Sequence, residues 1–181
     1  MRRLLAGLVG GALGSAAMSG FLRVMFPLLP DHDQYPLPPR RIAMRLVTKS
    51  GFEVPRRESD RRALTLTAHY AYGTTLGGVY GLIAPRRPLT ALAGSVPFAL
   101  SVWAGGYLGW LPAVGLHPPA TRESAQRNAL MIAAHFVWAG VIAATVAGTA
   151  RRHPGAERVP TDASPARATR YSRLSLDPRV S

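Results

Sequence analysis

Four runs of this chain, Leu4–Leu22, Ala63–Ala84, Leu89–Leu111 and Ala129–Ala150, contain no Asp, Glu, Lys or Arg. Each holds about 19–23 residues, and about 20 helical residues at 1.5 Å rise cross a hydrocarbon core of roughly 30 Å. Inside lipid every backbone N–H and C=O must be satisfied within the protein, so such runs become helices. Hydrophobic residues make up 48% of the chain, and their gathering into blocks separates it from a soluble protein of equal content. The expectation is an all-α integral membrane protein, a four-helix bundle with helices at about 4–29, 63–84, 89–111 and 129–150. The transmembrane domain then covers about 1–152. Arg23 lies just past Leu22, where a long side chain snorkels to the headgroups and marks a membrane boundary.

The start of the first run resembles a secretory signal, with Met1-Arg2-Arg3 ahead of an apolar core and small residues at Ser15-Ala16-Ala17. The apolar stretch continues through Phe21-Leu22 and Val24-Met25-Phe26, too long for an ordinary signal core, so an uncleaved helix is expected. The net charge of +13 comes from basic residues that flank the runs. It implies partnership with the bilayer and its anionic headgroups, and no nucleic acid. Cysteine is absent, which excludes disulfides, thiolate metal sites and cysteine nucleophiles. From Arg151 onward Arg, Ser, Pro and Ala dominate; residues 153–181 are expected to be a disordered basic tail.

Two of the runs are related. Ala63 to Gly73 aligns without a gap on Ala129 to Ala139, placing His69 over His135 and Tyr72 over Trp138 at an offset of 66 residues. Glu58-Ser59 precedes the first of these runs and Glu123-Ser124 the second. Leu29-Pro30 with Pro38-Pro39-Arg40 is matched by Leu111-Pro112 with Pro118-Pro119. The pattern implies two parallel helix-loop-helix repeats, with extra residues in the first loop. Within those residues, about 40–49 read as a short amphipathic helix: Ile42, Ala43, Leu46 and Val47 on one face, Arg41, Arg45 and Lys49 on another. An interfacial helix and a soluble cap both fit that pattern.

His69 continues a four-residue row formed by Gly73, Gly77 and Gly81, and His135 continues one formed by Ala139, Ala143 and Ala147. Small-residue rows mark helix-packing faces in lipid. If these two rows pack together, the histidines meet about 10 Å inside the membrane boundary, roofed by the proline-rich loops. Tyr72 and Trp138 would then wall a polar intramembrane site. The first helix has rows of its own at Gly7, Gly11 and Ser15 and at Gly10, Gly14 and Met18. Three readings of the histidines stay open: hydrogen-bonded packing contacts, a proton- or ligand-responsive site, and a metal site, which lacks carboxylates and thiolates to complete it. His32 and His117 read as solvated loop residues, Pro97 as a kink in the third helix, and Tyr107 and Trp110 as interfacial belt residues. No cofactor motif, paired carboxylates or nucleophile with a base is present.

Several motifs are similar to those of the YagU-like family of small bacterial inner-membrane proteins: Pro36-Leu37-Pro38-Pro39-Arg40, Gly115-Leu116-His117-Pro118-Pro119, His135-Phe136-Val137-Trp138 and the closing Arg151-Arg152. The resemblance runs from Leu4 to about Arg152. It implies an inner-membrane location with both termini cytoplasmic, and it supplies no activity and no catalytic residues. The basic residues divide almost evenly between the two faces, while Met1-Arg2-Arg3 favours the same orientation. The functional expectation is a non-enzymatic inner-membrane protein, self-associating, with an envelope or stress-related role. The alternative is a small transporter or channel component that uses the histidine pair for proton or solute handling.

Overall fold

Prolines and acidic residues set the starts of the helices. The computed structural model describes residues 1–151, and the tail assigned to 153–181 lies outside them. Helix α1 runs Arg2–Met25, α2 Pro38–Lys49, α3 Glu58–Ile83, α4 Pro88–Ala104, α5 Leu111–Ala113 and α6 Ala125–Arg151, with no strand among the described residues. Pro38 and Pro88 open α2 and α4, where the missing N–H costs nothing and the fixed φ favours the first turn. Glu58 and Asp60 stand in the first turn of α3, opposite the positive end of its dipole. At the other end of α3, the Arg3 guanidinium of α1 donates to the carbonyls of Ala84 and Pro85, groups that no helix turn can satisfy.

Between α4 and α5 the helix widens into a π turn over Gly105–Trp110. Three glycines tolerate the changed backbone, and Pro112 cannot donate to the carbonyl of Leu108 as a regular helix would require. The axis nevertheless continues. Three stretches, Arg2–Leu28, Pro88–Ala113 and Ala125–Thr149, are long and apolar enough to cross a membrane. Helix α3 has 26 residues, but Thr65, Thr67, His69, Thr74 and Thr75 dilute its hydropathy. By length and composition the count among the described residues is three.

The helices pack in the order α3–α1–α6–α4, with α1 and α6 central and with α3 and α4 scarcely touching. Adjacent small residues give α1 two contact faces. A Cβ placed on Gly11 would come within 2.8 Å of the Thr74 Cα, and one on Gly77 within 2.6 Å of the Gly11 Cα. Gly10 and Gly14 face α6 instead, where an added Cβ would lie 3.0 Å from the Ile142 Cα and 2.7 Å from the Trp138 carbonyl oxygen. The glycine row of α3 thus packs on α1, not on the alanine row of α6. Glycine against glycine permits the closest backbone approach, and only α1 offers glycines to match. Ala139, Ala143 and Ala147 are buried in the core with Ile142, Val146, Met18 and Leu22.

Candidate functional site

Because α3 and α4 diverge, the interior is not filled, and a cavity of about 260 Å³ lies between them at the α2 end. His69 and Tyr72 reach it from α3, Tyr107 and Trp110 from the π turn, and His135 and Trp138 from α6. Gly73 also borders it, whereas Gly77, Gly81, Ala139 and Ala143 serve packing alone. The two histidines therefore share one chamber, although the helices carrying them make little contact; the separation by α1 leaves room between them. Helix α2 covers the chamber with its apolar face, through Ile42 and Leu46, while Ala43 is buried. The π turn accounts for Tyr107: it is no belt residue but a wall, edge-on to His135 at 6.0 Å and to His117 at 5.4 Å. Tyr72 and Trp110, 6.1 Å apart and each more than 40% exposed, stand at the mouth.

His135 Nδ1 lies 2.7 Å from the carbonyl oxygen of Met131, one turn back on the same helix. His69 of α3 and Ser15 of α1 both border the chamber. Trp138 is stacked with Phe98 at 5.8 Å, and its indole N–H is buried without a partner. Among the described residues no three His, Asp or Glu side chains gather closely enough to hold a metal ion.

A second constellation sits above the chamber, where the two loops meet. Glu123, with a side chain only 9% exposed, accepts from the Tyr35 hydroxyl, from Arg127 Nε at 3.0 Å and from Arg41 at 3.2 Å. Arg127 also donates to the Asp33 and Tyr35 carbonyls and lies over the Tyr35 ring at 3.6 Å. Ser124 donates to Asp33 Oδ2 at 2.6 Å. Burial acts to raise the Glu123 carboxyl, but the Tyr35 hydrogen bond and the charges of Arg127 and Arg41 together hold it below its ordinary value. Tyr35 is pushed up, first by burial and then by donating to that carboxylate.

His117 belongs to this layer and is a correction to the sequence reading: it is not solvated but buried, 2% exposed. Its Nδ1 donates to the Pro118 carbonyl at 2.7 Å, and its Nε2 stands 4.0 Å from Glu123. Burial depresses its pKa. His32 does remain at the surface, its side chain 78% exposed. Sequence reasoning passed over Arg127 and Glu123 as site residues. The available signal was Glu123 four residues before Arg127, a spacing that joins acid to base on one helix face. The earlier Glu-Ser copy is not equivalent: Glu58 is an exposed partner of Arg40.

No family model, curated protein or solved structure matches the chain.

Proposed function

We propose that this chain is a non-enzymatic, multi-pass protein of the bacterial inner membrane that binds a small apolar molecule in the histidine chamber. The observation that carries the proposal is the position of the cavity: between two helices that scarcely touch, with aromatic walls, a mouth at Tyr72 and Trp110, and an amphipathic helix above. A pocket with that exit in a membrane protein is loaded sideways, from the lipid phase. Walls of Tyr, Trp and His with no paired acid and base suit holding a molecule rather than transforming it.

The same reading makes α3 a fourth membrane span. Its glycines follow α1 from Gly11 down to Arg3, so a membrane that contains α1 contains α3 as well. Two hairpins result, α1 with α3 and α4 with α6, consistent with an internal repeat. In this reading both termini are cytoplasmic and the loop layer lies opposite, as the resemblance to the YagU-like motifs implies. The chain has no native cysteine, so single cysteines at the exposed positions Ser50 and Thr121 report topology directly. Both are expected to react with an impermeant reagent in intact spheroplasts; labelling of one without the other overturns the two-hairpin arrangement.

The binding function is tested by thermal shift of the full chain in nanodiscs against small apolar aromatics. At least one compound is expected to raise the unfolding temperature saturably. Ala68→Phe, which fills a bordering position on the exposed side of α3, is expected to abolish that shift. An absence of any saturable shift overturns the reading. A carrier role for the same pocket is favoured by its two coverings, α2 above and the Tyr72–Trp110 pair at the side, and predicts flux of the bound compound in liposomes.

A further inference from the structure

Resting on the binding role just proposed, we infer that the molecule held in this chamber is a hydrogen-bond donor: a small phenol or aromatic diol rather than the corresponding ether. The argument begins with His135. A carbonyl oxygen only accepts, so the 2.7 Å contact between Nδ1 and Met131 places a hydrogen on Nδ1. An uncharged imidazole carries one hydrogen, and an apolar chamber within a membrane favours the uncharged ring. Nε2 is then a bare lone pair. It has no protein partner among the described residues, on a ring that forms part of the chamber wall. His69 borders the same chamber from α3 and adds a second imidazole to its wall.

The other polar atoms at the wall are compatible with a hydroxyl on the ligand. The Trp138 indole, a donor, is packed away beside Gly73, where an added Cβ would sit 3.1 Å from Nε1, and it is closed to the cavity. Tyr107 meets His135 edge to ring rather than through a hydrogen bond, and its hydroxyl, like that of Tyr72, can accept from a ligand hydroxyl as well as donate to it. A chamber in which His135 has committed its hydrogen to a backbone carbonyl asks its ligand for a hydrogen at that nitrogen. An unanswered acceptor in such a site is costly, so a ligand with hydroxyl groups gains where an ether of the same shape does not. The size agrees. A dry cavity of about 150 Å³ holds a benzene molecule, so about 260 Å³ takes one substituted ring. A longer alkyl or prenyl chain on that ring has its way out into lipid between Tyr72 and Trp110.

The experiment uses the full chain in nanodiscs and three probes of one shape: 4-hexylresorcinol, its dimethyl ether and hexylbenzene. The resorcinol is expected to bind about tenfold more tightly than the ether, the scale of one net hydrogen bond. His135→Phe is expected to equalise the two. If that variant does not fold, ¹⁵N-histidine spectra of the unaltered protein decide the point: the Nε2 resonance of His135 shifts on adding the resorcinol and stays put with the ether. Equal affinity for resorcinol and ether, or tighter binding of the ether, overturns the donor assignment and leaves the pocket intact. Failure of all three probes to bind removes the pocket reading along with it. Ethyl and dodecyl homologues distinguish the source. Equal affinity for both identifies a free phenol, and a strong gain with the dodecyl chain identifies a lipid headgroup.

Discussion

Helix α3 has one side that is closed and one that is open. Against α1 it presents Gly73, Gly77 and Gly81, and backbone meets backbone with no space for a single added carbon. Toward α4 it presents Tyr80 and Tyr72, and the helices stand apart. The Tyr80 ring lies 4.8 Å from Phe98, and its hydroxyl donates to the Ala91 carbonyl. Tyr72 meets Trp110 at the far end. Both sides are built from ordinary packing residues, yet only the second leaves a chamber. The difference is side-chain bulk on one helix: the smallest residues weld a seam, and the largest prop open a slot.

That contrast is broken most severely by filling the seam. Gly77→Leu puts a side chain where the Gly11 Cα lies 2.6 Å from the Cβ, and backbone cannot step aside. A loss of about 3 kcal/mol or more is expected, the upper end of overpacking costs, seen as a lowered unfolding midpoint in detergent. A midpoint unchanged from the parent protein would mean that the seam is not held as described.

The roof over the slot comes next. Arg41 ties α2 to Glu123 of the α5–α6 loop, so the cover depends on charges. Glu123→Gln keeps the shape and removes the charge beside the buried Arg127, at an expected cost of about 2–3 kcal/mol. The pH dependence has a definite sign. The folded carboxyl of Glu123 lies below its ordinary 4.5, so its contribution is present above that pH and is lost as pH falls through the folded value. His117 is also held below its ordinary 6.5, so the unfolded chain takes up its proton first, and stability begins to fall below that pH. Unfolding midpoints measured from about pH 7 to 4 should decline throughout, and Glu123→Gln should flatten the more acid part.

The slot itself yields smaller effects. Tyr80→Phe keeps the ring against Phe98 and deletes the hydroxyl that reaches Ala91, for an expected loss of about 1–1.5 kcal/mol. Ala71→Leu, on the exposed face of the same helix, should change stability by no more than about 0.5 kcal/mol. If Ala71→Leu proves as damaging as Gly77→Leu, the two sides of α3 have been assigned the wrong way round.

The helical character of the chain was legible because uncharged runs of membrane length allow the backbone no other structure. That His69 and His135 border one chamber could be approached from their common offset. Which neighbour receives the α3 glycines could not, since α1, α3 and α6 all carry small-residue rows and spacing alone does not choose among them. Close approach decides it, and glycine outranks alanine. The π turn had only a cluster of glycines ahead of Pro112 to announce it, and so Tyr107 read as a surface ring. His117 and Arg127 were missed for a related reason. A loop histidine and an arginine at a helix start look solvated until a second loop, with Asp33 and Tyr35, is laid over them.

The bond from His135 to Met131 also bears on how the protein is made. A helix handed to the bilayer by the insertion machinery enters before it has packed against its neighbours, and a polar side chain in it is then paid for in full. Here the imidazole hydrogen is already returned to a carbonyl of its own helix, so α6 carries that group into lipid with part of its polarity satisfied in advance. The remaining lone pair is the only portion left waiting. Recognition at this nitrogen is therefore laid down within a single inserted segment, and α1, α3 and α4, which precede it in the chain, supply the walls around a polarity that α6 brings with it.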